Sequence, residues 1–345
     1  MAACSMLTAV LAASLTVVPV STAGASAKKV DGIPFKHGRP TLSGISISVG
    51  NAAGSAHIGD TNVHDLVNIL KQWGASTTQT NASKNAVELA VAAGKEDLAV
   101  GPLPTEVDTG LVAFGPNLVH LTDGILAKST IKGLKGLKGK TIAYCCQASP
   151  DGVLLTAVLK KAGLKKTQVS LLATGASTAS LDALIAGKVT AAFTALGGLP
   201  TAANSFHLLT DAEKLLPAYA DSFMSATPQW LKTHKKEAVA VDLAWLAAAK
   251  LFNGSESGWV KNAATYTSSA DTTAQYQAAW KQLKTLTGWP VKKSAYTVPV
   301  VKYNLKIATQ QTSLKGTGTK PFKKITTFTV WQTAWSIWKK HQKKL

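Results

Sequence analysis

Two groups of side chains in this 345-residue chain have types and spacings that chemistry could use. The first is His57, Asp60 and His64: two imidazoles and a carboxylate, able in principle to hold a metal or move a proton. No further ligand type recurs at a matching interval, and His64 falls on the flank of an expected helix. Loop polarity is the simpler reading, with ligand contact by His57 or Asp60 the next. The second group is Cys145-Cys146, followed by Gln147, Ser149, Pro150 and Asp151. Neighbouring residues on a strand face opposite ways, so the two cysteines read as buried free thiols. A vicinal disulfide is the alternative in an oxidising compartment, with a strained geometry. With only Cys4 besides, they make a poor metal centre. Ser149 suits a helix N-cap, Pro150 the first helical position and Asp151 the positive helix end. No Gly-x-Ser-x-Gly elbow, P-loop or His-Glu-x-x-His run is present to point to catalysis. Asn81-Ala82-Ser83 and Asn253-Gly254-Ser255 have glycosylation spacing but read as a cap and a turn.

These groups need a scaffold, and the surrounding pattern supplies one. Ile45 to Val49 alternates and is β-branched, which predicts the first strand, with ordered structure starting near Thr41. A polar loop, Gly50 to Asp60, carries Asn51 and Ser55 as well as His57. Val63, Leu66, Val67, Leu70 and Trp73 mark one helix face, and Gly74 stops that helix. Ser76 to Thr80 predicts a second strand with Asn81 at its end. A helix from Ser83 to Ala93 follows, then a strand over Asp97 to Gly101 opening into Pro102. Ala93-Gly94-Lys95-Glu96-Asp97-Leu98-Ala99 is echoed at Ala186-Gly187-Lys188-Val189-Thr190-Ala191-Ala192, either as a repeated unit or because helix–Gly–strand junctions look alike. Val112 to Lys128 is expected to carry the chain into a second unit, and Thr194 to Ala203 to bring it back. From His207 onward the sequence reads as helical. Glu237 to Phe252 is apolar nearly all round and predicts a buried helix, and Asp271 to Leu286 another. Trp331, Trp335 and Trp338 share one face of the closing helix and are expected to pack on the first unit.

Gly136 to Phe193 is the most informative stretch. Gly-Leu-Lys-Gly-Lys-Thr-Ile-Ala-Tyr, the Cys-Cys-Gln-Ala-Ser-Pro-Asp-Gly loop, a helix ending Leu-Lys-Lys-Ala-Gly-Leu and the closing Leu-Ile-Ala-Gly-Lys-Val-Thr-Ala-Ala-Phe alternate strand and helix. This order resembles one lobe of the extracytoplasmic solute-binding proteins that feed ABC importers, and is most similar to the taurine, alkanesulfonate and thiamine-precursor binders. The segments around Trp259 to Tyr266 and Gly288-Trp289-Pro290 resemble the C-terminal part of the same family. The resemblance implies an α/β, two-lobed type 2 periplasmic-binding-protein-like fold, with a hinge of two crossings and a ligand cleft between the lobes. Lobe 1 is expected over 41–122 and 204–345, and lobe 2 over 123–203. Ligands of open α/β sheets bind beyond the carboxyl ends of strands, which singles out the loops Gly50–Asp60, Gly101–Thr105, Cys145–Asp151 and Thr174–Thr178. The candidate ligand contacts are Asn51, Ser55, His57, Asp60, Asn81, Gly101, Pro102, Cys146, Gln147, Ser149, Asp151, Gly175 and Thr194, with Trp and Tyr side chains of the C-terminal half as further wall material. The family's Gly/Ser-rich ligand loop is replaced here by Cys145-Cys146-Gln147-Ala148.

The implied role is capture of a small organic molecule by lobe closure and its delivery to a membrane permease, by a monomer without cofactor or metal. Relatives that form pyrimidines or degrade thiamine leave an enzyme on the same fold as an alternative, and a basic envelope scaffold is a third. Residues 1–27 read as a secretory signal: an apolar run from Met6 to Val20, then Ala-x-Ala cleavage after Ala25 or Ala27. They contain no Lys or Arg, so a start assigned too far downstream is the simplest account; a lipid on Cys4 and a retained anchor are the alternatives. Export places the protein in the periplasm or on the outer face of the cell membrane. The net charge is +19, from 37 basic and 18 acidic residues. Lysines scattered in pairs, such as Lys160-Lys161 and Lys235-Lys236, without interleaved aromatics argue against a nucleic-acid partner and for a solvated exported surface tuned to an acidic medium or an anionic envelope. Arg39 is the lone arginine and lies away from every expected pocket loop, so an anion would lack the bidentate guanidinium fork.

Overall fold

The alternating and β-branched segments assemble into two five-stranded sheets and a small antiparallel lead-in. The computed structural model describes residues 28–30, 32–52, 61–82, 85–145, 150–196, 206–266, 272–285, 288–309 and 322–345. In chain order the elements are β1 (Lys28–Val30), β2 (Ile33–Lys36), β3 (Arg39–Pro40), β4 (Ser46–Asn51), α1 (Thr61–Gln72), β5 (Ser76–Asn81), α2 (Ala86–Ala92), β6 (Leu98–Gly101), α3 (Leu103–Thr109) and β7 (Val112–Pro116). Then come β8 (Asp123–Lys128), β9 (Thr141–Tyr144), α4 (Pro150–Lys161), β10 (Ser170–Ala173), α5 (Ser177–Ile185), β11 (Ala191–Ala195), β12 (Phe206–Asp211), α6 (Ala212–Leu215) and β13 (Phe223–Ala226). The chain closes with α7 (Pro228–Thr233), α8 (Lys235–Gly254), α9 (Glu256–Tyr266), α10 (Thr273–Thr285), α11 (Val298–Ala308), α12 (Phe322–Ile325) and α13 (Thr329–His341). Among the described residues no helix is long and apolar enough to cross a membrane.

The sheets share one layout. The first runs β5-β4-β6-β13-β7 and the second β10-β9-β11-β8-β12. In each, three parallel strands precede an antiparallel one, and that antiparallel strand is the first the chain lays down after crossing from the other sheet. The echo around Gly94 and Gly187 is therefore a true structural repeat. Both glycines take a left-handed φ, +71° and +72°. Gly94 and Lys95 donate to Val91 and Ala90, as Gly187 and Lys188 do to Leu184 and Ala183, the double bond that ends a helix at glycine. The strands that follow, β6 and β11, hold the same place in their sheets.

Several expectations need correction. Order begins before Thr41: Ile33 and Phe35 of the lead-in are buried, Phe35 lies against His341, and Arg39 Nε donates to the Lys344 carbonyl at 3.1 Å. The chain does not return to the first sheet near residue 204. Strand β12 pairs antiparallel with β8, so the second crossing is 212–222, and helices dominate only from Pro228 onward. Helix α11 also belongs to neither sheet alone, because Ile307 and Tyr303 pack into the second core while Val301 and Leu305 pack into the first.

The crossings 117–122 and 212–222 are tied together. Asn117 N donates to the Ser222 carbonyl at 3.1 Å and Ser222 N to that of Leu118 at 3.2 Å. The Asn117 amide donates to Ser222 Oγ at 2.8 Å. Glu213 holds the first crossing from the second, its oxygens 2.7 Å from His120 Nδ1 and 3.0 Å from the Leu121 amide. Buried Asn304 of α11 then clamps Ala220, its carbonyl accepting from the Ala220 N–H and its amide donating to the Ala220 C=O.

The core of the first sheet is aromatic. Trp245, Trp259, Trp289, Trp331 and Trp338 are all buried there, so these five serve packing, while Trp230, Trp280 and Trp335 are partly buried against the same core. Trp331 and Trp338 lie on the core-facing side of α13 as expected, and α8 is buried along most of its length. Asp97 joins β4 to α7: it accepts from the Ser48 N–H at 2.7 Å, the Ser48 hydroxyl at 3.0 Å and the Trp230 indole at 3.0 Å.

Around the same sheet lie carboxyls that have no charge partner among the described residues. Asp65, Glu106 and Asp242 are at most 1% exposed, and none of their oxygens has a well-formed hydrogen bond. Burial drives all three well above the ordinary carboxyl range. At Glu106 the nearby Glu88 adds to the upward push, and the Ser225 hydroxyl close by offsets part of it. A carboxyl whose pKa is higher folded than unfolded stabilises the fold below its unfolded pKa and loses that contribution as pH rises toward the folded value. Each such group thus removes about 1 kcal/mol per pH unit above roughly pH 4. Urea unfolding of Asp242→Asn should match the parent near pH 4 and exceed it near neutrality. An equal difference at both pH values would show that Asp242 does not change protonation.

The clamp gives a second prediction. Asn304→Leu leaves the Ala220 N–H and C=O buried and unpaired, a loss of about 2–4 kcal/mol in unfolding free energy. A loss below about 1 kcal/mol would mean that the crossing is held without Asn304.

Candidate functional site

The candidate site lies where the parallel strands of both sheets end. Asn51 and Asn81 close β4 and β5 and stand opposite one another in the parallel register; Asn51 is buried. Gly101 ends β6 and leads into Pro102. In the second sheet Thr194 sits near the end of β11, and Gly175 follows β10. The structure thus brings Asn51, Asn81, Gly101 and Pro102 to the end of one sheet and Asp151, Gly175 and Thr194 to the end of the other. Ser55, His57, Asp60, Cys146, Gln147 and Ser149 lie outside the described residues.

Not all of these positions have groups to spare for a ligand. A Cβ on Gly101 would collide with the Glu88 carboxyl and come within 3.3 Å of Ala52 Cβ. A larger residue there would have to displace the buried Glu88 carboxyl of α2. Thr194 is buried and its hydroxyl donates to the Ser177 carbonyl at 3.2 Å. Gly175, at φ +91°, carries the turn in which its N–H donates to the Cys145 carbonyl at 2.7 Å. Thr174 reinforces that turn, its N–H bonded to Tyr144 O and its hydroxyl 2.7 Å from Ser180 Oγ. The loop after β10 is thereby fastened to the end of β9. Cys145 itself is disulfide-bonded, which replaces the expectation of free thiols; its partner lies outside the described residues.

His64 is not a ligand in waiting. It stands 3.1 Å from the Asn68 amide, which donates in turn to Asn262 at 2.7 Å, and burial pulls its imidazole below the ordinary value. Among the described residues no three His, Cys, Asp or Glu side chains are grouped to hold a metal. A pocket of about 470 Å³ opens at the start of α11 between Tyr296, Val298, Phe328 and Trp331. None of its lining residues belongs to the strand-end loops.

Asp151 is the candidate with the most perturbed chemistry. It is the second residue of α4, behind Pro150 as the sequence predicts. Protein surrounds it while solvent still reaches part of it, and desolvation raises its carboxyl to about 6. Tyr219, on the second crossing and 1% exposed, is pushed upward by burial and then by Asp221, Asp151 and Asp123. Asp123, Tyr219 and Asp221 were not among the sequence candidates. Tyr219 and Asp221 lie on the second crossing and Asp123 opens β8 directly after the first, stretches that read from sequence as connections rather than as strand-end loops. Gly124 next to them also had no visible signal: a Cβ there would sit 2.8 Å from the Thr210 carbonyl, so β8 can lie between β11 and β12 only with glycine at this point.

The architecture is matched by proteins of known structure. The ligand-binding component of an ABC-type import system from Staphylococcus aureus, with zinc bound, superimposes with a TM-score of 0.64 at 13% identity over 84% of this chain and 99% of that one. The periplasmic aliphatic sulphonate binding protein of Escherichia coli gives 0.61 at 18% identity over 78% of this chain and 87% of that one. The periplasmic nitrate-binding protein of Synechocystis gives 0.67 at 10% identity over 86% and 90%. At these identities the likeness concerns the two-lobed fold. No curated protein sequence matches the chain. Residues 67–251, from α1 through both crossings into α8, match the family described as NMT1/THI5 like, and with more than half its length so matched the chain belongs to that family.

Proposed function

We propose that this protein is an extracytoplasmic solute-binding protein that closes two lobes on a small organic molecule and hands it to an ABC permease. One lobe is built on β4 to β7 with β13, the other on β8 to β12. The observation that carries the reading is the paired layout of the sheets, joined by crossings hydrogen-bonded to each other. Such a seam lets two rigid bodies turn while their strand ends face a common cleft. Asn51, Asn81, Pro102 and Asp151 are the described residues assigned to ligand contact, with Gly175 and Thr194 shaping the loops around them. The candidates outside the described residues, Ser55, His57, Asp60, Cys146, Gln147 and Ser149, belong to the same strand-end loops by sequence. Affinity on this reading comes from desolvating the ligand between the lobes, with a few polar groups fixing its orientation. The protein acts as a monomer, and the residues before Lys28 direct its export.

Thermal unfolding in the presence of sulfonates, pyrimidines, amino acids, nitrate and small carboxylates tests the proposal. A bound ligand at a hundredfold excess over its dissociation constant adds about 2.7 kcal/mol to apparent stability. Stabilisation by one class, with that compound recovered unchanged, is the expected result. Consumption of the compound would make the protein an enzyme. Salt-sensitive retention on an anionic polymer, with no stabilisation by any class, would make it an envelope scaffold.

A further inference from the structure

Apart from the ligand cleft, we infer that the lead-in and the closing end of the chain form a cationic face that seats the protein on an anionic lipid surface. Three separate segments build it. In the turn from β2 to β3, Lys36 and Arg39 pair across the antiparallel register, and both are exposed. At the exit of α13, Lys340, Lys343 and Lys344 are exposed as well. The Lys344 stem lies over Gly38, where a Cβ would collide with it, and Arg39 Nε donates to the Lys344 carbonyl at 3.1 Å. Lys250, from the last turn of α8, donates to the Gln342 carbonyl at 2.5 Å and stands 6.0 Å from the Trp338 ring. The lead-in joins the first sheet where β4 and β5 begin: Leu42 N–H donates to the Trp73 carbonyl and Ser76 N–H to that of Ile45. Asn51 and Asn81, assigned to ligand, close those two strands at the other end.

These six cations have no anions to answer them. Among the described residues the one ion pair is His120 with Glu213, and residues 272–345 carry 14 lysines without a single Asp or Glu. A lysine in a last helical turn can answer its own helix dipole, but Lys36 and Arg39 stand on a hairpin turn. Folding brings Arg39 to Lys344 from 305 positions away, so the grouping is made by the tertiary structure and costs self-repulsion. An anionic surface offsets that cost. Ammonium groups on flexible stems suit many loosely placed phosphates rather than one oriented anion. Lipid is favoured over a soluble polymer by position. The lead-in follows directly on residues 1–27, which hold the apolar run Met6 to Val20, and basic residues beside a membrane-directed run are drawn to anionic headgroups.

The test is co-sedimentation of the full chain with phosphatidylcholine vesicles, with and without phosphatidylglycerol. Vesicles of phosphatidylcholine alone register what the apolar run contributes. Binding should require phosphatidylglycerol and weaken between about 50 and about 500 mM salt, as screening shortens the reach of the charges. Each cation near such a surface is worth about fivefold in partition. Lys340→Gln, Lys343→Gln and Lys344→Gln together should therefore weaken binding about tenfold or more. The same loss of charge on the second lobe, by Lys160→Gln, Lys161→Gln and Lys165→Gln, should weaken it less than about twofold. Lys36→Gln with Lys343→Gln replaces the first triple if that triple lowers the unfolding midpoint, because neither side chain has a partner among the described residues. Equal loss from both lobes overturns the face and leaves only the net charge. Equal binding without phosphatidylglycerol overturns the recognition of charge. Retention on long-chain polyphosphate with none on the vesicles overturns lipid as the partner. The solute-binding reading is decided separately, by ligand stabilisation, and stands or falls without this face.

Discussion

The seam between the two crossings is the constraint on which the rest of the molecule depends. Each sheet receives its antiparallel strand from the other half of the chain, β8 from the first crossing and β13 from the second. Neither sheet can be completed unless both crossings lie side by side. Main-chain bonds between Asn117, Leu118 and Ser222 hold them so, and Asn304 and Glu213 fix the return segment from either side. Buried backbone groups need partners wherever they run. Here side chains from α6 and α11 supply those that a regular strand would have found in its neighbours.

Electrostatics divides the molecule unevenly. Lysines crowd its surface, carboxyls occupy the core of the first sheet, and Asp123, Asp151 and Asp221 act on the buried Tyr219. In the core, Asp65, Glu106 and Asp242 have no cation to answer them, so neutral forms are the economical solution and acidity favours the fold. Asp123, Asp151 and Asp221, which act on Tyr219, keep contact with solvent. The same residue type thus stands in two settings, divided by whether water can reach it.

Much of the fold was legible in local pattern. The alternation at Ile45 to Val49, the helix face ending at Trp73, the Gly94 and Gly187 stops and the Ala-rich run of α8 all rest on neighbours within a few residues, where periodicity and glycine conformation act directly. The site was legible only in outline. Asn51, Gly101, Asp151 and Gly175 follow strands, so the strand-end rule reached them. Whether each had a free group did not follow, because Gly101 is fixed by Glu88 from another helix and Thr194 by the Ser177 carbonyl. Tyr219 and Asp221 escaped the same rule because they lie on a connection, and Asp123 because it begins a strand rather than ending one.

By itself, then, the sequence determined the alternating α/β order, the repeated strand–helix unit and the family. These are properties of short windows and of composition. Tertiary structure decided that β12 stays with β8, that α11 packs on both cores, that the order starts at the lead-in rather than at Thr41, and that Asp123, Asp151 and Asp221 act on one buried tyrosine. Most of those facts join residues tens of positions apart. Their partners are chosen by which apolar faces and unpaired backbone groups remain once the local elements have formed, and no local pattern records that choice.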